Sequence, residues 1–209
     1  MDVEKNLIRK HYRSLVYSCY YHYIKKHHPE LDFKRIVEGI GLPYRHLRNP
    51  INWVSIRFDS LLMERLITET NDQDLAYNAG LYNIAKYSCG PILERFAKFT
   101  ERELMYAGIP KAVNFFNNIV EVEFIPSLSN TAKKTYTIKP IYEKIEPEFI
   151  EIFQKTLPNV FKNIIAHWCA VPAFRYNDPS KISSYKIVNQ DLEECTFTVD
   201  VFNIIPSIP

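Results

Sequence analysis

Two rhythms of apolar residues divide the chain. Through residues 1–118 the apolar positions recur at three- and four-residue steps, the spacing of one face of a helix. Ile8, Tyr12, Leu15, Val16, Cys19, Tyr20 and Tyr23 form the first such stripe. His28-Pro29 ends it, because a proline turns its predecessor out of the helical region. Asp32 then caps a short helix from Phe33 to Glu38, closed by Gly39 and Gly41. After the turn at Asn49-Pro50 a helix from about Asn52 to Thr70 carries Val54, Phe58, Leu61, Leu62 and Leu66 on one face. A further helix is predicted over about Gln73 to Lys86, with shorter pieces at Pro91–Phe99, Thr100–Tyr106 and Pro110–Asn118.

Past residue 118 the period falls to two. In Val120-Glu121-Val122-Glu123-Phe124 apolar and acidic residues alternate, as on a half-buried strand. Thr135–Ile141 reads as its hairpin partner. A helix then opens at Pro147, with Phe149, Ile150, Phe153 and Leu157 on its face. Three more strands are predicted at Ile164–Tyr176, Ile182–Val188 and Cys195–Phe202. The expectation is therefore one α+β domain over 1–209: a helical part, 1–118, packed on a C-terminal antiparallel sheet of about five strands in the order ββαβββ.

Composition removes several function classes. Only 5 of the 209 residues are glycine, and no glycine run of the kind that cradles phosphate is present. The 26 basic residues nearly balance the 24 acidic ones, so a concentrated basic surface for nucleic acid is not expected. Cys19, Cys89, Cys169 and Cys195 are scattered without a CxxC pair, which argues against a zinc site or a disulfide framework. No stretch reaches the ~18 apolar residues of a membrane span, and the cytoplasm is the expected location.

Candidate chemistry is sparse. The histidines lack the i, i+4 spacing of a helical metal site, and the acidic pairs read as strand faces and a helix start. His167-Trp168-Cys169, placed on a strand, puts His167 and Cys169 on one face, a pairing that could make a thiolate nucleophile, line a pocket or simply pack in the sheet. What stands out is the aromatic content, 14 tyrosines and 13 phenylalanines. Aromatic walls with a few polar tips hold small apolar ligands. The candidate ligand-binding residues are Tyr20, Tyr23, Trp53, Phe58, Phe116, His167 and Cys169, with no catalytic and no metal-binding residue among them. A second stripe, Tyr17, Tyr21 and Ile24, makes the first helix apolar on two sides, as in a buried helix or one pressed on a partner chain.

The run from Leu31-Asp32-Phe33 to Gly41, the segment Leu47-Arg48-Asn49-Pro50-Ile51-Asn52-Trp53, and Asp74-Leu75-Ala76-Tyr77-Asn78-Ala79-Gly80 together resemble the N-terminal sensor modules of bacterial histidine kinases and cyclases. Leu157-Pro158-Asn159-Val160 through Cys169, and Glu194-Cys195-Thr196-Phe197, are similar to the closing strands of such modules. The wider group contains haem-NO-binding-like and 4-vinyl-reductase-like small-molecule-binding domains, whose fold recurs in TRAPP subunits. This resemblance implies a non-catalytic regulatory input domain that binds a small hydrophobic molecule, forms a homodimer and acts on a kinase or cyclase output module. The chain departs from the group in having Asp191-Leu192-Glu193-Glu194 where a Gly-Asp step precedes the final strand, and in lacking a Tyr-x-Ser-x-Arg haem motif. No cofactor is therefore expected, with haem a minor alternative. The competing reading is a dimerising adaptor with a filled core and no ligand.

Overall fold

A computed structural model of the chain describes residues 6–84, 102–130, 132–175, 178, 180–191 and 196–202. The first apolar stripe does not form one helix. Tyr12–Arg13 (β1) is extended and pairs antiparallel with Trp53–Val54 (β2). A 3-10 turn at Ser14–Tyr17 follows, and only then the helix α1, Ser18–His27. Three contacts hold β1 extended. The His11 ring accepts a hydrogen bond at Nδ1 from the Ile56 amide (2.9 Å). The Arg13 guanidinium lies 3.9 Å from the Trp53 ring centre, and it donates to the Ile51 carbonyl (2.7 Å). Tertiary partners here override a helical pattern.

Helices α2 (Phe33–Ile40) and α3 (Tyr44–Arg48) come next. Asp32 accepts from the Arg35 amide at 3.2 Å, and Gly41 closes α2 at φ 103°, a left-handed conformation that suits glycine. Helix α4, Ile56–Thr70, starts four residues later than its pattern predicts, since β2 takes Trp53 and Val54 and Ser55 becomes the cap, its hydroxyl accepting from Phe58 N at 3.1 Å. Helix α5, Leu75–Gly80, continues into a 3-10 turn at Leu81–Ile84. The expected helix at Pro91–Phe99 lies outside the described residues, as does the start of the one at Thr100. From Arg102 to Phe116 one helix, α6, runs through Pro110.

Among the described residues the main sheet has four strands, against the about five expected. Strands β3 (Val120–Phe124), β4 (Lys133–Pro140), β5 (Tyr185–Asp191) and β6 (Thr196–Phe202) pair antiparallel in the order β3-β4-β6-β5. The segment expected as a strand at Ile164–Tyr176 is instead the second half of helix α7, Ile150–Arg175, which includes Pro158 and Pro172. Ile164-Ile165-Ala166-His167-Trp168-Cys169-Ala170-Val171 is apolar at nearly every position because it is covered on several sides, and such a run looks alike in a buried strand and a buried helix. The order is thus ββαββ. Helix α7 lies between the sheet and the helical part. On one side Trp168 stacks on Tyr136 of β4, ring centres 4.4 Å apart, and Phe161 meets Phe197 of β6 edge-on at 4.5 Å.

On the other side α7 touches α5 with almost no space between backbones. A Cβ placed on Gly80 would lie 2.7 Å from the Ala166 Cβ and 2.7 Å from the Asn163 carbonyl oxygen. Substitution Gly80→Ala is expected to push α5 off α7 and to cost about 1–3 kcal/mol of stability, read as a lowered urea midpoint with unchanged slope.

Candidate functional site

Both stripes of the first helical segment are covered within the chain. Tyr21 packs on Phe33 at 6.0 Å, while Tyr23 packs on Tyr82 at 5.7 Å and donates to the Asp72 carboxylate at 2.7 Å. Between this segment and helices α4, α6 and α7 a cavity of about 80 Å³ remains. Tyr12, Leu15, Val16 and Tyr20 form its first wall; α4 contributes Asp59; α6 contributes Ala112, Val113 and Phe116, followed by Asn117; α7 contributes Val160, Asn163, Ile164 and His167. The lining is mainly apolar, and Asp59, Asn117, Asn163 and His167 are its polar tips besides the phenols.

Of the residues singled out from the sequence, Tyr20, Phe116 and His167 meet here. Tyr23 is turned to Asp72 and His27. Trp53 sits under Arg13 in the small sheet. Phe58 is fully buried and meets Tyr17 edge-on at 5.4 Å. Cys169 is buried too, and because α7 is helical it points about 200° away from His167 rather than beside it. Burial pushes its thiol up to about 12, near the Tyr77 hydroxyl. A Cys–His nucleophile therefore has neither the geometry nor the thiolate.

Asp59 was not legible as a site residue. A carboxylate in the first turn of a helix suits the macrodipole and invites a surface reading. The available signal was its phase: Asp59 stands three and four residues before the buried Leu62 and Met63, on the apolar face of α4. Only 7% of it is exposed, and burial lifts its carboxyl to about 7 while the nearby Tyr17 phenol lowers it slightly. That phenol approaches without completing a hydrogen bond of good geometry, and Tyr12 OH is likewise without a partner among the described residues. Asn163 braces the wall, donating through Nδ2 to Tyr20 OH (3.2 Å) and to the Ala76 carbonyl (3.1 Å). Burial holds the His167 imidazole down at about 4, so the ring is neutral at physiological pH.

Among the described residues no group of three or more His, Cys, Asp or Glu could hold a metal ion, and no helix is long and apolar enough to cross a membrane. No family model matches the sequence, and no curated protein matches it. Solved structures do. A haem protein whose redox potential is modulated by porphyrin distortion superposes with a TM-score of 0.62 over 92% of this chain and 99% of its own, at 7% identity. A variant of the T. tengcongensis H-NOX domain gives 0.62 over 93% and 98%, at 8% identity. An oxygen-binding H-NOX domain related to soluble guanylate cyclases, in its oxygen complex, gives 0.59 over 90% and 89%, at 7% identity. The fold is that of the H-NOX domains, in agreement with the resemblance to haem-NO-binding-like modules.

This likeness corrects the expectation of no cofactor, because the domains that share the fold are haem proteins and haem is the cofactor the fold leads one to expect. The described residues meet that expectation in one respect: His167 offers a neutral imidazole on the cavity wall. They fail it in two. The cavity is far below the roughly 300–1,000 Å³ that drug-sized ligands occupy. Its wall also carries a carboxylate and no described lysine or arginine to face the haem carboxylates. In this conformation the described lining does not fit a porphyrin.

The two shifted groups act on stability in opposite directions. A carboxyl held at about 7 keeps a proton in the folded chain that the unfolded chain has released, so its contribution is full below about 4 and is lost as pH rises to 7. The imidazole contributes above about 6.5, and that contribution is lost as pH falls towards 4. Between those limits the slopes oppose. Asp59→Asn removes one of them, so on acidification from about pH 6.5 to about pH 4.5 the variant is expected to lose stability more steeply than the wild type. The difference is at most about 1.4 kcal/mol per pH unit and is read from denaturant midpoints.

Proposed function

We propose that this chain is a non-catalytic, ligand-sensing regulatory domain on the H-NOX fold, with the cavity between the first helical segment, α4, α6 and α7 as its binding site. The observation that carries the reading is the cavity itself: apolar walls drawn from four segments, with Asp59, Asn163 and His167 converging on one space. This is the construction of a small-molecule site. Its size selects a ligand of a few heavy atoms, since an engineered cavity of roughly 150 Å³ holds benzene. The likeness to haem-containing, oxygen-binding domains supports a sensing role.

A ligand that fits one arrangement of these segments better than another shifts the population toward it. In this reading the shift is passed to an attached kinase or cyclase module in the cytoplasm, or across a homodimer. Edge strand β5 exposes Tyr185 (37%), Ile187 (43%) and Val188 (53%), an apolar surface suited to a protein partner.

A small neutral apolar probe such as isopropanol is expected to raise the melting temperature of the wild type in a concentration-dependent way. Val160→Phe, which fills the cavity from α7, is expected to abolish that response. A response unchanged in Val160→Phe would place binding elsewhere and sink the proposal. Haemin added to the purified chain distinguishes the haem-bound form: a Soret band lost in His167→Ala would show the cavity opening to admit the macrocycle.

A further inference from the structure

Asp59 is the group in the cavity that neither folding nor the proposed sensing of a neutral molecule explains. The residue is only 7% exposed yet forms part of the cavity wall. Among the described residues it makes no ion pair, and the Tyr17 phenol beside it is the polar group that acts against the effect of burial on its carboxyl. A buried carboxylate with only a phenol beside it is costly, and proteins retain such groups where a cation or a further donor completes them. The rest of the wall supplies what a small cation needs besides a counter-charge. Tyr12, Tyr20 and Phe116 bring aromatic rings to the same space, and the Tyr12 hydroxyl is an unused hydrogen-bonding group. Rings around a cation add attraction through their quadrupoles, most strongly where water is excluded. Among the described residues no lysine or arginine lines the space to compete.

We infer that the cavity recognises a small organic ammonium ion, its N–H groups donating to the Asp59 carboxylate and its carbon atoms enclosed by Tyr12, Tyr20 and Phe116. The inference rests on the cavity being the ligand site proposed above and names the chemistry of what enters it. The volume of about 80 Å³ suits a short-chain amine.

Near neutral pH the carboxyl, lifted to about 7 by burial, exists in both forms, and a bound ammonium fixes it in the charged one. The other titratable groups facing it do not share this range. Burial raises the Tyr12, Tyr17 and Tyr20 phenols well above their ordinary value, and His167 stays neutral down to about 4. Ammonium binding therefore strengthens as pH rises through 7.

Isopropylammonium and isopropanol have the same shape and differ in charge, so the pair isolates the role of Asp59. Binding is followed by NMR through the methyl resonances of Val113, Val160 and Ile164, which lie on the cavity wall. At about pH 8 the amine is expected to bind about tenfold more tightly than the alcohol, as one charge-assisted hydrogen bond provides. At about pH 5.5 the preference falls to within about twofold. Asp59→Asn loses the preference at both pH values and still binds the alcohol. Equal affinity for the two probes at pH 8 overturns the ammonium inference while leaving the cavity as a site for neutral molecules. Failure of both probes to move those resonances overturns the site and the inference together. Should Asp59→Asn not fold, the wild-type comparison decides: a preference for amine that is the same at both pH values overturns the inference.

Discussion

The architecture depends on one helix buried between two layers. Helix α7 has the sheet on one side, through Trp168 on Tyr136 and Phe161 on Phe197, and the helical part on the other, where Gly80 allows α5 to approach within backbone contact. A segment covered in this way has no water for its amides and carbonyls, and a helix satisfies most of them internally. A fifth strand in the same place would need a neighbouring strand to pair with.

From that arrangement the cavity follows. The first helical segment cannot lie flat on α7, because β1 is drawn to β2 and to the His11 bridge between the Ile56 amide and Glu146. Since His11 Nδ1 accepts from an amide, its neutral ring carries hydrogen at Nε2 and donates to the Glu146 carboxylate at 2.8 Å. The bend that this clasp imposes leaves space above Val160, Asn163, Ile164 and His167 of α7. Asp59 and the neutral His167 then face a volume of low polarity, where each is held in an unusual protonation range by the same cause, loss of water.

Sharing a fold with haem domains at 6–10% identity leaves the interior free to differ. The shape of the layers is retained, while the described lining around His167 is small and carries an acid. The cavity is lined by a handful of side chains on the first helical segment, α4, α6 and α7, and such side chains can change without altering how the layers pack.

By itself the sequence determined the class of the fold: helical periodicity in the first part, alternation in Val120–Phe124 and Thr196–Phe202, and capping residues at Asp32 and Gly41 are local signals that local physics obeys. It also offered Tyr20, Tyr23, Trp53, Phe58, Phe116, His167 and Cys169 as ligand-binding candidates, of which Tyr20, Phe116 and His167 line the cavity. Whether Ile164–Tyr176 was strand or helix lay beyond it, because a run apolar on all sides has no period to read. The same was true of Asp59, whose meaning came from burial: a carboxylate near a helix start is ordinary until other segments close over it. Tertiary structure alone decided which faces met, and so which residues face a common space.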